Sequence, residues 1–386
     1  MNWNDYWFDF ILKHEDKVDW VEISNNPNLT LDIIEKYPNK NWNWTLISSN
    51  LNLTMEFIEK YPNKEWDWNT ISMNPNLTME WIEKYPNKKW NWNFISMNPN
   101  VTMEWIEKFP DKPWNWGYGG ISMNPNLTME WIEKYPDKPW DWVCISRNPN
   151  LTLEWIEKFP DKPWHWVCIS RNPNLTLEWI EKYPDKPWDW GDDGISNNPN
   201  LTLEWIDNYP DKDWNWTCIS RNQNVTLELI EKFPDKPWHW ERWGISSNPN
   251  VTLETLEWIE KYPDKDWEWG YGGISSNRNL TMEWIEKYPD KPWNWYVISQ
   301  NPNLTMEFIE KYSDKDWDWY GISINSFTKE KELFEIRQKQ KFVQDHLFES
   351  FVKKAFNPER MHRILNDLEE EDPNRDNLEY MENYVI

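Results

Sequence analysis

Glycine and cysteine are scarce in this 386-residue sequence, with 10 glycines and three cysteines. So few glycines exclude a collagen-like or glycine-rich low-complexity chain, and a small odd number of cysteines is no basis for a disulfide framework. No apolar run reaches the length of a membrane-spanning helix. Positive charge is short as well: 41 Lys and Arg stand against 66 Asp and Glu, a formal net charge of -25. A field of that sign repels the phosphates of DNA, RNA and anionic membranes, so neither nucleic acid nor membrane is expected as a partner. The first twenty residues carry no basic flank followed by an apolar stretch. No signal peptide is expected there, and a cytoplasmic, reducing setting follows as the expectation.

What the sequence does have is 36 tryptophans and 28 prolines, with aromatic residues at 17%. A mean hydropathy of -0.95 would by itself suggest disorder. Disordered segments are poor in aromatics, however, so apolar area for a core is available, concentrated in a few large side chains.

Self-similarity organises the chain. An Ile-Ser pair recurs at Ile23, Ile47, Ile71, Ile95, Ile121, Ile145, Ile169, Ile195, Ile219, Ile245, Ile274, Ile298 and Ile322, with steps of 24, three of 26 and one of 29. Twelve complete repeats lie between these marks, each close to Ile-Ser-x-Asn-Pro-Asn-Leu-Thr-x-Glu-Trp-Ile-Glu-Lys-Tyr-Pro-Asp-Lys-Pro-Trp-x-Trp, and a degenerate repeat ending at Asp19-Trp20 precedes them. The cysteines Cys144, Cys168 and Cys218 share one repeat position, which reads as a packing position.

Each repeat predicts one helix. In the Ile71 repeat, Thr78 suits the N-cap, Leu77 and Ile82 have the spacing of a hydrophobic staple, Glu80 lies in the first turn four residues before Lys84, and Tyr85-Pro86 ends the segment. A helix of about two turns cannot persist alone in water and must be held by its neighbours. The second half of the repeat is read as a short irregular or 3₁₀ turn leading into a helical turn, with Asp137 as cap, Pro139 in the first turn and Asn148-Pro149 as the stop. Glycine insertions such as Gly117-Tyr118-Gly119-Gly120 and Gly191-Asp192-Asp193-Gly194 argue against one continuous helix there. A strand of the leucine-rich-repeat kind is the rival, since Trp-x-Trp alternates, and helix is preferred for its cap and proline placement.

The expected fold is all-α: an α-solenoid of about twelve repeats of 24–29 residues with a C-terminal helical cap. Residues 1–22 form the degenerate first repeat, 23–322 the tandem array, 323–368 the cap and 369–386 an acidic tail. Within the cap, Leu333, Phe334, Phe342, Val343, Leu347, Phe348, Phe351, Val352 and Phe356 recur at helical spacing, and Met361, Ile364, Leu365 and Leu368 continue in a second helix. At roughly 8–10 Å between packed helices, the array would extend on the order of 100 Å along its contour.

The segments Asn124-Pro125-Asn126 and Asp137-Lys138-Pro139-Trp140-Asp141-Trp142 resemble the tryptophan-rich repeat proteins of giant amoeba-infecting DNA viruses, and the likeness covers most of Val18 to Ile322. The resemblance implies a viral origin and a host-cell setting; it transfers no catalytic residue.

For function, the Trp-x-Trp pairs from Trp42/Trp44 to Trp317/Trp319 could offer sugar-stacking platforms, but each repeat needs large apolar groups to bury, and core rungs are the preferred reading. The Trp81 column accepts Ile33, Phe57, Leu229 and Phe308, swaps that packing tolerates. The Asn-x-Thr triplets, such as Asn28-Leu29-Thr30 and Asn303-Leu304-Thr305, would be glycosylation acceptors in a secreted protein; helix capping explains them better here. His165 and His239 share a position but lie three repeats apart, too far to share a metal, and His14, His346 and His362 are isolated. With no phosphate loop, metal-ligand cluster or nucleophile motif, no enzyme, cofactor or metal is expected. Identical repeats also deny a carboxylate pair the unlike environments of acid and base.

The leading expectation is therefore an acidic scaffold for a protein partner. Self-assembly into a virion or other structural component and a carbohydrate-binding ladder are the alternatives. The residue between Ser and Asn varies most in chemistry: Ser49, Met73, Met97, Met123, Arg147, Arg171, Asn197, Arg221, Ser247, Ser276 and Gln300. It should face solvent, and its stripe of Met73, Met97 and Met123 followed by Arg147, Arg171 and Arg221 is the candidate binding surface. Recent duplication is the competing account of that stripe.

Overall fold

The computed structural model describes residues 2–251, 257–344, 353, 354 and 356–363. These form α-helices and 3₁₀ turns, with one π-type turn at 343–344 and no strand among them, so the strand-containing alternative is set aside. The chain divides into two compact bodies, Met1–Lys329 and Glu330–Ile386. Among the described residues no helix is long and apolar enough to cross a membrane.

In the first body the repeats are built alike. The first helix has six residues, as in Met79–Lys84, and starts at the expected threonine. Among the described residues the threonine hydroxyl accepts the N–H of the third helical residue only in Thr30, Thr54, Thr226 and Thr305; Thr78 makes no such bond. Leu77 and Ile82 are buried as a staple requires. Lys84 departs from expectation: it pairs with Glu59 of the preceding repeat rather than with Glu80 in its own helix.

The second element is a helix, Trp142–Arg147 in the Ile121 repeat, and its N-cap is Asp141, not Asp137. Asp141 accepts the N–H of Cys144 at 2.9 Å, while Asp137 and Pro139 lie in the turn before it, where Trp140 N–H bonds to Lys138 O at 2.8 Å. One residue must separate the paired tryptophans so that it can cap the helix. Where glycines are inserted, the element shrinks to a 3₁₀ turn, Ile121–Met123, Ile195–Asn197, Ile245–Ser247 or Ile274–Ser276. The last inserted glycine is required by contact, since a Cβ on Gly120 would stand 2.0 Å from Asn115 O.

A ladder of asparagines joins one repeat to the next. Asn172, 1% exposed, donates from Nδ2 to Asn148 O at 2.9 Å and Ser146 O at 3.2 Å of the preceding repeat, and its Oδ1 accepts Asn174 N–H at 2.9 Å. Asn174 Nδ2 reaches back in turn to Leu151 O at 3.0 Å. Ser146 Oγ donates to Trp142 O at 2.6 Å and accepts His165 N–H at 3.0 Å, tying the end of one repeat to the beginning of the next. Around this polar ladder sit the apolar columns: Ile145, Leu151, Trp155 and Ile156 are all buried.

The ladder does not end at the last repeat. Asn26 Nδ2 donates to Ser323 O at 2.7 Å and Asn325 O at 3.1 Å, Asp19 N–H to Ser323 Oγ at 2.9 Å, and Asn28 Nδ2 to Ser326 O at 2.9 Å. These are the bonds that Asn172, His165 and Asn174 make to Ser146, Asn148 and Pro149. The missing half of the Ile322 repeat is supplied by the opposite end of the chain. Helix Trp3–Lys13 stands where the repeat helix belongs, with Lys13 paired to Glu310 at 3.2 Å, His14 against Trp319 at 4.9 Å between ring centroids, and Phe10 against the fully buried Phe327 at 5.9 Å. The first body is thus a closed circuit of thirteen repeats, the thirteenth made from both ends. The expected open array on the order of 100 Å long is corrected accordingly: its two terminal faces cover each other.

In the second body the helix that starts at Thr328 runs to Phe342, and Arg337 Nη2 pairs with Glu330 Oε1 at 2.7 Å. Leu333, Phe342, Val343 and Phe356, expected to be cap contacts, are exposed, whereas Phe334 is buried. Leu347, Phe348, Phe351, Val352, Ile364, Leu365 and Leu368, His346 and the tail from 369 lie outside the described residues.

Two measurements check this architecture. Asn148→Leu removes both ends of the amide bridge and strands the N–H of Asn150, so it should destabilise by about 1–3 kcal/mol. Amide exchange should rise in the Ile121 and Ile145 repeats and stay unchanged in the Ile274 repeat. At the closure, burial first and Lys17 second hold the His14 imidazole below its ordinary 6.5, and its Nε2 is buried without a partner. The docked N-terminal segment therefore holds His14 neutral; its stability is complete above about pH 6.5 and falls as pH drops through that value toward the lower docked one. Protection factors for Trp3–Lys13 should fall between about pH 7 and pH 5, and His14→Tyr, which installs the residue seen at Tyr61 and Tyr85, should remove the dependence.

Candidate partner-binding surface

The variable column lies at the end of each second element. Met73, Met97, Met123 and Arg147 are the last residues of their turns, and Arg171 and Arg221 are C-caps. Met73 is 50% and Met123 45% exposed, Arg147 and Arg171 are exposed, and Met97 and Arg221 are half-buried. The column is continuous from repeat to repeat: Ser49 Oγ donates to Asn25 Oδ1 at 2.8 Å, and Arg221 Nη2 to Asn197 Oδ1 at 3.4 Å. The three methionines thus occupy successive repeats. Arg147 and Arg171 are also successive, whereas Asn197 separates Arg171 from Arg221.

The arginines are not free cations. Arg147 Nε donates to Cys168 Sγ of the next short helix, Trp166–Ser170, at 3.0 Å, Arg221 Nη2 approaches Cys218 Sγ at 3.6 Å, and Arg171 Nη1 lies 3.7 Å from Asp193 Oδ1. The cysteines are reduced and buried, as a packing position implies.

The paired tryptophans are buried or half-buried and form walls between repeats. The second indole of one pair meets the first of the next edge-on, as in Trp142 and Trp164 at 4.9 Å and 81°. A lysine of that next repeat lies over the same ring, Lys162 Nζ being 5.4 Å from the Trp142 centroid. The first indole donates to the carbonyl five residues earlier, Trp164 Nε1 to Phe159 O at 2.9 Å. Rings engaged in this way have little face left for a sugar. His165 uses Nδ1 to cap its helix, accepting Cys168 N–H at 3.3 Å. Among the described residues no group of three His, Cys, Asp or Glu side chains is placed to hold a metal.

Exposed aromatics just after the paired tryptophans were not anticipated from sequence. Tyr271 is 49%, Tyr296 56%, Tyr320 48% and Trp243 42% exposed. They belong to four consecutive repeats, from Ile219 to Ile298. Trp243 and Tyr271 lie in inserted loops, as does Tyr118, 77% exposed in the Ile95 repeat, whereas Tyr296 and Tyr320 stand where other repeats carry Thr45, Asn69, Asn93, Val143 or Val167. Trp243 has φ 64, a left-handed conformation that costs a side chain about 1–2 kcal/mol and that falls to Gly119 and Gly272 in two other long repeats. The signal was present as a tryptophan at a glycine position, but the length change of the inserted loop concealed the alignment.

No family model matches the chain, and no curated protein or solved structure matches it either.

Burial first, and the Asp141 carboxylate next, push the Cys144 thiol up to about 11. At pH 8 the thiolate would be about one part in a thousand, so Cys144 should resist a thiol-specific disulfide reagent in the folded protein and react at once in denaturant. Rapid labelling of the native protein would place Cys144 outside the packed column.

Proposed function

We propose that the repeat array is a closed solenoid serving as a non-enzymatic scaffold for a protein partner. One observation carries this reading: the buried bonds repeat around the whole circuit, while chemical variation concentrates at exposed positions. Near-identical interiors fix a rigid frame, and a differing rim is where specificity can reside. The methionine and arginine stripe is suited to such contact, since both residue types are enriched in protein interfaces. The resemblance to giant-virus tryptophan-rich repeats supports a host cytoplasm as the setting. Assembly through free ends, which a virion component would use, loses support because the first and last repeats cover each other. A sugar ladder on the paired tryptophans loses support because lysines and neighbouring indoles occupy the rings.

Affinity capture from infected cells with the native chain, with Arg147, Arg171 and Arg221 changed to Ser, and with Met73, Met97 and Met123 changed to Gln tests the proposal. At least one variant should fold normally and lose a captured protein. If both fold and keep every partner, the stripe is a record of duplication. Light scattering should show a monomer; large concentration-dependent species would favour assembly.

A further inference from the structure

We infer that the exposed arc formed by Trp243, Tyr271, Tyr296 and Tyr320 is a docking surface for a basic, extended segment of a partner protein, its lysine or arginine side chains seated on the tyrosine rings. The inference rests on the protein-binding reading and assigns it a second surface, separate in sequence from the methionine and arginine stripe.

The arc is built rather than incidental. Trp243 and Tyr271 meet edge-on at 5.6 Å and 87°, and Trp243 N–H bonds to Gly272 O at 2.7 Å, so two inserted loops are joined. Trp243 is retained in a left-handed conformation that glycine would adopt without strain. The ring is nevertheless 42% exposed, so packing alone does not account for it. Tyr296 and Tyr320 follow in the next two repeats at a position where threonine, asparagine or valine suffices elsewhere.

The arc itself shows which ligand its rings accept. The Arg242 guanidinium lies 4.8 Å from the Tyr271 centroid and 5.4 Å from that of Trp243, a cation seated on two of the four rings. Among the described residues no lysine or arginine lies over Tyr296 or Tyr320. The negative charge of Glu22 first, then burial and the charges of Asp19 and Asp318, raise the Tyr320 phenol above the ordinary range. Ring faces beside carboxylates in a chain of net charge -25 select a cation and repel an acidic peptide.

The test uses the full chain and three labelled probes: a twelve-residue peptide alternating Arg and Ser, the same peptide with Glu for Arg, and chito- and cello-oligosaccharides. Tyr296→Thr with Tyr320→Thr installs the residue that other repeats carry as Thr45 and Thr217, so the variant should fold, as circular dichroism can verify. The basic peptide should bind, the acidic one should not, and the double variant should weaken binding about five- to twenty-fold. Trp243→Gly should weaken it further without lowering the unfolding midpoint. Equal binding of the basic peptide to the native chain and the double variant would trace it to bulk acidity and overturn the arc. Oligosaccharide binding that the double variant abolishes would overturn it in favour of a sugar platform. Because the stripe variants are assayed separately, loss of the arc with retention of the stripe's partner leaves the scaffold reading intact.

Discussion

A buried asparagine amide that bonds to the backbone of the preceding repeat is the constraint on which the rest of this structure depends. Helices of six residues cannot persist in water, and the turns between them carry backbone groups that would be costly to bury unpaired. The Asn148 carboxamide addresses both problems, satisfying a carbonyl of its neighbour and an N–H of its own turn. The Ser146 hydroxyl adds a second fixed bridge. With these directional bonds setting the offset between repeats, tryptophan, leucine and isoleucine can fill the space between layers.

Repetition of one offset also explains the closure. If each interface imposes the same rotation, the array returns on itself after a definite number of layers, and here the thirteenth is completed by both ends. The entropic cost of bringing residues about 300 positions apart into contact grows only logarithmically with separation, while closure adds a whole interface. The N-terminal sequence can depart from consensus as long as its roles are filled. His14 stands for the tyrosine, Lys17 lies over Trp319 as Lys64 lies over Trp44, and Asp19 caps Trp20–Ile23 as Asn43 caps Trp44–Ile47.

A circuit of nearly equal repeats needs asymmetry to recognise anything in one place. In the variable column methionines lie in the Ile71, Ile95 and Ile121 repeats and arginines in the Ile145, Ile169 and Ile219 repeats, and a run of exposed aromatics follows in the four repeats that carry Trp243, Tyr271, Tyr296 and Tyr320. The lysine-to-glutamate pairs between helices, such as Lys108 with Glu83 at 2.6 Å, recur with exposed partners and contribute little each. Their repetition sets a uniform background against which these three sectors differ.

The periodicity of Ile-Ser, Asn-Pro-Asn and Trp-x-Trp by itself determined the all-helical repeats, the start of the first helix at threonine and the burial of Trp81 and its counterparts Ile33, Phe57 and Phe308. Local signals of spacing and capping suffice for those features because they act within a few residues. Other features needed the tertiary structure. Asp141 displaced Asp137 as cap because the chain between Trp140 and Trp142 must turn to meet the Ser122 hydroxyl at the start of the same repeat, which accepts Asp141 N–H at 3.0 Å. Lys84 chose Glu59 over Glu80 because a neighbouring helix brought that carboxylate within reach. Nothing local to Asn26 pairs it with Ser323 and Asn325, nearly 300 positions away, and only the fold brings them within hydrogen-bonding distance. Closure is the sum of small rotations at every interface, a geometric quantity carried by no single repeat, and only the folded circuit could decide it.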